Sequence, residues 1–201
     1  SSDLIYSSDK DRYMEPNTNG FVNVPLNNSL TAIDSLITVS FWAFGNPSSQ
    51  PSNGSCFEAT DINGNRILNS HTPWSDSNVY WDAGFSGTGY DRINKAATST
   101  EIEGKWNHWA FTKNVTTGSM KIYLNGALWH SGTGKTKPMN NIHNLKLGRG
   151  VANSTDSYAG KMDDFAVFNK ELNATEIQGI MYQHIDIAHP LYNNLSLYYH
   201  F

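Results

Sequence analysis

Short stretches of alternating apolar and polar residues, separated by turn-forming residues, recur along the whole chain. Successive side chains of a β-strand point to opposite faces, so a period of two is typical of strands with one buried face. Eleven such stretches occur, at positions 20–25, 37–45, 55–61, 66–72, 78–84, 90–95, 107–113, 120–124, 127–131, 145–148 and 158–168. Many short strands at close spacing favour a sandwich or barrel over a parallel sheet linked by helices.

Two Asn-Gly pairs and one capping motif add local detail to this all-β pattern. Asn63-Gly64 and Asn125-Gly126 each lie between two alternating stretches and predict tight hairpins, because both residue types tolerate a positive φ. Near the C-terminus, Asn173 followed three residues later by Glu176 predicts the capped start of one short amphipathic helix.

Length and composition limit the number of domains that the chain can form. The chain has 201 residues, of which 38% are hydrophobic and only 16% charged. This is enough for one buried core and too little for two ordinary domains, so we expect a single domain over 1–201. The chain opens on Ser1-Ser2-Asp3 without an initiator Met, which indicates a domain excised from a larger multidomain protein.

Charge and hydropathy exclude two classes of partner. The formal net charge of -4 is spread without a Lys/Arg cluster, so we expect no nucleic-acid binding. No apolar run approaches the ~18 residues of a membrane span, so we expect no membrane insertion. The single cysteine, Cys56, has no partner for an internal disulfide and is interpreted as a small core residue.

An ordered set of motifs resembles laminin-G-like domains of the concanavalin A-like superfamily. The motifs are LITVSFWA at 36–43, WNHWAFT at 106–112, GSMKIYLNG at 118–126, LKLG at 145–148, and YAGKMDDFAVFN at 158–169 followed by ATEI at 174–177. Each motif is weak alone, but their order is specific. The resemblance implies two antiparallel sheets packed face to face as a jelly-roll sandwich. It also implies that ligands bind to edge loops or to a concave face of a sheet.

The resemblance also implies a calcium site. In such domains an aspartate of the last long strand ligates calcium together with backbone carbonyls near the N-terminal turn. We therefore expect Asp164, beside Asp163, to bind Ca²⁺ with the carbonyls of Asn19 or Gly20. Strict alternation places Asp163 on the face of Phe165 and sends Asp164 to the other face. The alternative is that the two aspartates accept backbone hydrogen bonds at the end of the strand.

The stretch from Thr72 to Arg92 is the candidate carbohydrate site. Sugars present flat C–H faces and rings of hydroxyls, so a sugar site combines aromatic platforms with Asp, Asn and Arg side chains. The candidate residues here are Trp74, Asp76, Tyr80, Asp82, Tyr90 and Arg92, with Trp129 as a weaker addition. Alternation predicts that Trp81 is in the core while Tyr80 and Asp82 share the opposite face. Packing is the alternative role for Trp74.

No residue pattern predicts catalysis. Glucanases of similar fold use paired carboxylates on one strand, but the nearest run, Glu101 to Glu103, lacks the third acid and ends at Gly104. We therefore expect a non-catalytic, lectin-like module of a secreted or cell-surface protein that binds a glycan or polysaccharide, although the parent protein could be an enzyme. The alternatives are a protein-interaction or adhesion module that contacts another extracellular protein and, third, a glycan-degrading domain.

Overall fold

The computed structural model describes residues 12–16, 20–151 and 155–201. The strands are β1 Val22–Asn23, β2 Leu36–Gly45, β3 Phe57–Thr60, β4 Arg66–His71, β5 Asn78–Phe85, β6 Tyr90–Ala96, β7 Trp106–Asn114, β8 Ser119–Leu124, β9 Ala127–Gly132, β10 Asn144–Leu147, β11 Gly160–Phe168 and β12 Leu195–Tyr199. The helices are α1 Asn28–Thr31, α2 Ser99–Ile102 and α3 Ala174–Ile180, and a 3₁₀ turn at Tyr192–Asn194 precedes β12.

The strands form two antiparallel sheets of six. The first sheet has the order β1-β10-β3-β4-β5-β6, and the second has the order β12-β11-β2-β7-β8-β9. The predicted all-β, two-sheet sandwich with a short C-terminal helix is therefore confirmed. The structure adds two single-turn helices, α1 and α2, that the sequence reading did not predict.

The core lies between the two sheets and is largely aromatic. Phe57 of β3 contacts Phe41 of β2 and Phe165 of β11, with ring centroids 6.0 Å and 5.4 Å apart. Trp81 of β5 is fully buried in the same layer, as predicted, and its indole N–H donates to the carbonyl of Thr112 on the other sheet at 3.0 Å. Cys56 is also fully buried in this core.

Helix α3 covers part of the outer face of the second sheet. Asn173 accepts a hydrogen bond from the Glu176 N–H, and the Glu176 carboxylate accepts one from the Asn173 N–H, which is the predicted capping box. Ile177 and Ile180 pack with Ala110, Ala166 and Phe168 of the sheet. Within the described residues, no helix has the length and apolar character needed to span a bilayer.

Of the two tight hairpins predicted, the one at Asn125-Gly126 is confirmed, whereas the one at Asn63-Gly64 is a hairpin with a longer loop. Asn125 and Gly126 are a two-residue turn between β8 and β9, with φ values of 51° and 76°. The Asn63-Gly64 pair lies instead in a longer loop between β3 and β4, in which the Asp61 carboxylate accepts from the backbone of Asn63 and Asn65. At the C-terminus, β12 pairs with β11 and is the edge strand of the second sheet.

Candidate functional site

The outer face of the first sheet carries polar side chains from four neighbouring strands. Glu58 of β3 is paired with Asn69 of β4, and Asn69 with Asp82 of β5. Asp82 is in turn paired with Arg92 of β6. Paired residues on neighbouring strands share a face of the sheet. Since Trp81 points into the core, this row points away from it, as alternation predicted for Asp82.

Two arginines and two carboxylates form one ion-pair network on this face. Arg92 donates to Asp82 through Nε, at 2.5 Å from Oδ1, and through Nη2, at 2.7 Å from Oδ2. Arg66 bridges the two acids, with Nη1 at 2.8 Å from Asp82 Oδ2 and Nε at 2.6 Å from Glu58 Oε1. Asp82 has no exposed surface although it points outward, because both guanidinium groups cover it. The network has no net charge.

Two tyrosines flank the exposed guanidinium of Arg92. The Arg92 guanidinium carbon lies 4.6 Å from the ring centroid of Tyr80 and 5.1 Å from that of Tyr90. Its Nη2 also donates to the Tyr90 hydroxyl at 3.1 Å. Cation–π contacts and the Asp82 pair together fix the plane of this side chain. We call Glu58, Arg66, Asp82, Arg92, Tyr80 and Tyr90 the arginine face.

Trp74 and Asp76 lie beside Tyr80 at one end of the arginine face. The Tyr80 hydroxyl donates to Asp76 Oδ2 at 2.6 Å, and this hydrogen bond raises the pKa of Tyr80. The Trp74 ring is half-buried and lies 4.3 Å, centroid to centroid, from the ring of His71. The structure thus brings together six of the seven predicted residues: Trp74, Asp76, Tyr80, Asp82, Tyr90 and Arg92.

The seventh predicted residue, Trp129, lies elsewhere. It is on β9 of the second sheet, where its indole N–H donates to Glu101 Oε1 at 2.8 Å. The Lys95 ammonium lies 4.4 Å from its ring centroid. Trp129 therefore belongs to the edge where β6 meets β9, because these are the edge strands of the two sheets.

The arginine face contains polar residues that the sequence reading missed. Glu58 and Arg66 complete the ion-pair network, and the buried Asn69 lies between Glu58 and Asp82, where neither of its side-chain polar atoms has a hydrogen-bond partner among the residues that the structure describes. His71 supports Trp74, and its Nδ1 lies 2.9 Å from the Gly54 carbonyl, so Nδ1 carries the proton. Burial lowers the pKa of His71 to about 4, so the ring is neutral.

On the second sheet, Asp163 and Asp164 lie at a β-bulge. Met162 and Phe165 both belong to the core, and the register of β11 against β2 shifts between Asp163 and Ala166. Asp164 has a φ of 49°. The predicted placement of Asp163 on the face of Phe165 is therefore wrong, because the bulge inserts one extra residue and leaves both aspartates outside the core.

The two aspartates accept hydrogen bonds mainly from residues 198–201 at the end of the chain. Asp163 Oδ1 accepts from the backbone N–H of Asp164 and of Phe201, at 2.7 Å and 3.1 Å. Asp164 Oδ1 accepts from the Tyr198 hydroxyl and from His200 Nδ1, both at 2.8 Å. Burial raises the pKa of Asp163.

The described residues meet the requirements of a calcium site in part. Asp163, Asp164 and His200 each offer one ligand atom, all within 4.8 Å of one another. Calcium takes about 6–8 oxygen ligands, so the two carboxylates suit it and the imidazole does not. Of the predicted carbonyl ligands, Gly20 leads into β1 of the first sheet, and Asn19 lies outside the described residues.

A cleft of ≈ 330 Å³ opens beside Asp164. We call it the aromatic cleft, and it is lined by Trp42, Asp164, Met181, Tyr182, Gln183, His184, Tyr198 and His200. It lies between β2, β11 and β12 on one side and the segment that follows α3 on the other. The sequence reading did not identify it, because its walls come from segments more than a hundred residues apart.

The chain belongs to the concanavalin A-like lectin/glucanases superfamily. The family model matches residues 16–178, which is most of the chain. This result confirms the resemblance drawn from the ordered motifs. No curated protein matches the sequence.

Several solved structures share this fold at low sequence identity. The binding domain of botulinum neurotoxin serotype G is 16% identical, with a TM-score of 0.67, and the match covers 89% of this chain and 44% of that one. A botulinum neurotoxin type C structure is 20% identical over 90% of this chain and 45% of that one, with a TM-score of 0.68. A Bacteroides ovatus protein presumed to bind carbohydrate is 17% identical over 94% of this chain and 50% of that one, also with a TM-score of 0.68. The chain thus spans about half the length of these proteins, and the likeness shows the fold.

Proposed function

We propose that the chain is a non-catalytic glycan-binding module and that the arginine face, with Trp74 at its end, is the sugar site. The observation that carries this proposal is the placement of Arg92. Asp82 holds the Arg92 guanidinium in one plane, and the rings of Tyr80 and Tyr90 lie beside it. The Arg92 side chain is 36% exposed. A fixed, partly exposed donor beside aromatic rings suits the hydroxyls and C–H faces of a sugar.

The carboxylates of this face argue against glycosidase chemistry. A retaining or inverting glycosidase needs one carboxylic acid that gives its proton to the leaving group. Glu58 and Asp82 both accept short hydrogen bonds from Arg66, and Asp82 accepts two more from Arg92. Because both carboxylates are engaged by guanidinium donors, the acids serve to orient the arginines.

The comparisons support glycan or protein partners and a secreted or cell-surface location. Cell entry of botulinum neurotoxin type C depends on two ganglioside molecules, and the binding domain of neurotoxin DC has been solved both with SialylT and with rat synaptotagmin II. The protein-interaction alternative would use exposed apolar side chains such as Ile62 and Ile187, which are 74% and 84% exposed. A glycan microarray separates the two, since a protein-only module gives no signal on it.

The site is tested on the Trp74→Ala and Arg92→Gln variants, with Trp129→Ala as the matched control. The wild type is first screened on a glycan microarray with calcium and with chelator. The best glycan is then titrated into each folded variant. Loss of a stacked ring or a charged donor weakens binding by about 1–3 kcal/mol, or roughly 5- to 150-fold. Trp129→Ala retains the wild-type affinity, because Trp129 is on the other sheet.

A packing role for Trp74 predicts a different pattern. If the ring serves only to cover His71, Trp74→Ala loses about 3–5 kcal/mol of unfolding free energy and its folded fraction binds the glycan normally. Wild-type affinity for the glycan in both Trp74→Ala and Arg92→Gln would show that the arginine face is not the sugar site.

A further inference from the structure

The aromatic cleft exists because three structural elements end or bend beside it. Trp42 of β2 is paired with Asp163, on the outer face of the second sheet. Helix α3 covers this face over Ala166 and Phe168, but it ends before Met181. The bulge in β11 turns Asp164 outward, and β12 ends at Tyr199. Trp42 therefore borders an opening that has a carboxylate on its opposite side.

Aromatic rings form both walls of the cleft. Trp42 and Tyr182 have ring centroids 5.5 Å apart with planes at 47°, and Tyr182 is 82% exposed. His184, from the same segment as Tyr182, has its ring 5.5 Å from that of Tyr198 and 6.0 Å from that of His200. An exposed tyrosine against a tryptophan presents apolar π surface to solvent.

Two of the ring hydrogen-bond donors are already engaged. The Trp42 indole N–H donates to the Met181 carbonyl at 3.1 Å. The Tyr198 hydroxyl donates to Asp164 at 2.8 Å. Trp42 and Tyr198 therefore offer a ligand their ring faces rather than a hydrogen-bond donor.

The fixed charge of the cleft is negative. Asp164 Oδ1 takes both hydrogen bonds, from Tyr198 and His200, and Oδ2 takes none among the described residues. Asp163 adds a second carboxylate behind it, and the lining contains no Lys or Arg. A carboxylate and the negative faces of aromatic rings both attract a cation and repel an anion.

We propose that the aromatic cleft binds a small organic cation, an ammonium group bearing methyl or short alkyl substituents, with Asp164 as its counter-charge. The rings of Trp42, Tyr182 and Tyr198 contact the alkyl groups. The volume of ≈ 330 Å³ is at the lower end for ligand pockets, which suits one ammonium head group. This site is independent of the glycan proposal, because it is on the opposite sheet from the arginine face.

The test compares choline with 3,3-dimethylbutan-1-ol, which has the same shape without the charge. Each is titrated into the protein by NMR or calorimetry in the presence of chelator. We expect choline to bind at least about tenfold more tightly than the neutral alcohol, since cation–π and carboxylate contacts require the charge. Equal affinity for the two compounds, or choline binding only when calcium is added, would overturn the proposal.

Two variants locate the binding. Tyr182→Ala removes a largely exposed ring, and Asp164→Asn removes the charge while keeping a residue that tolerates a positive φ. Each is expected to weaken choline binding about tenfold. Tyr192→Ala, an exposed tyrosine outside the cleft lining, is the matched control and retains wild-type binding. Unchanged affinity in folded Tyr182→Ala and Asp164→Asn would show that choline binds elsewhere and overturn the assignment.

Discussion

Asp82 holds Arg92 by two hydrogen bonds, Nε to Oδ1 at 2.5 Å and Nη2 to Oδ2 at 2.7 Å. This is the bidentate geometry that guanidinium and carboxylate groups favour. Asp82 is fully buried, while the Arg92 side chain is 36% exposed. Asp82 is thus the buried partner that fixes the side chain of Arg92, and Arg92 is the group that a ligand can reach. Substitution of Asp82 is therefore expected to affect mainly stability, and substitution of Arg92 mainly binding.

Replacing Asp82 by Asn is expected to destabilise the fold on the order of 3 kcal/mol, because Arg66 and Arg92 both lose their buried anionic partner. The unfolding free energy from urea titration measures this loss. Asp76→Asn is the matched control, since Asp76 is exposed and its loss affects mainly the hydrogen bond from Tyr80. A loss at Asp82 no larger than that at Asp76 would show that the network contributes little to stability.

The turn glycines Gly126 and Gly64 allow backbone strain to be separated from steric overlap. Both have a positive φ, 76° and 82°. A Cβ at Gly126 would lie 2.5 Å from Gln178 Cγ, whereas nothing lies within 4 Å of one at Gly64. Gly64→Val is expected to cost about 1–2 kcal/mol from strain alone. Gly126→Val costs roughly 1 kcal/mol more, because Gln178 must move and its 3.2 Å hydrogen bond to the Gly126 carbonyl weakens. Equal urea midpoints for the two variants would contradict the packing of α3 on this hairpin.

The fold was predictable because its determinants are local. Alternation, the Asn125-Gly126 turn and the Asn173/Glu176 capping box each act within a few residues, and the structure retains all three. Alternation also placed Trp81 inside and Tyr80 and Asp82 outside correctly, because β5 has a regular pleat at these positions. The same reasoning failed at Asp163, because a bulge cannot be read from a period of two.

The partners within the candidate site were less predictable because they depend on strand register. Glu58 and Arg66 meet Asp82 only once β3, β4 and β5 are aligned side by side. The aromatic cleft joins Trp42 to residues 181–184 and 198–200, whose proximity follows from the path of the chain after α3. Neither arrangement has a short motif, so the sequence identified the residues of β5 and β6 but not those of β3 and β4.

Calcium binding at Asp164 remains a prediction with a direct thermal test. An ion that binds only the folded state raises its stability by mass action. If Asp164 ligates calcium, chelation of the wild type and the Asp164→Ala substitution lower the melting temperature by similar amounts, and added calcium does not restore the variant. Asp186→Ala, which removes an exposed carboxylate outside the aspartate pair, responds to calcium as the wild type does. Identical wild-type melting temperatures in chelator and in excess calcium would contradict the prediction.

Two buried histidines predict how stability depends on pH. Burial lowers the pKa of His71 and of His108 from 6.5 to about 4. The unfolded chain therefore takes up a proton on each ring near pH 6.5, while the folded chain does so only near pH 4. Stability is fully present above pH 6.5 and is lost as the pH falls towards 4, because the unfolded state binds more protons in this window. At pH 5 each histidine lowers the free energy of unfolding by about 2 kcal/mol relative to neutral pH.

His108→Gln isolates one of these two contributions. His108 is 2% exposed, its Nδ1 has no hydrogen-bond partner among the described residues, and its ring packs against Trp42 at 5.3 Å between centroids. Glutamine does not titrate. Between pH 7 and pH 5 the free energy of unfolding of the variant is therefore expected to fall by about 2 kcal/mol less than that of the wild type. The measurement is the difference between unfolding free energies from urea titrations of the same protein at the two pH values, which cancels any pH-independent cost of the substitution. His143→Gln, at an exposed position, retains the wild-type difference and serves as the control. The same pH difference in His108→Gln and in the wild type would mean that His108 takes up its proton in the folded state as readily as in the unfolded chain.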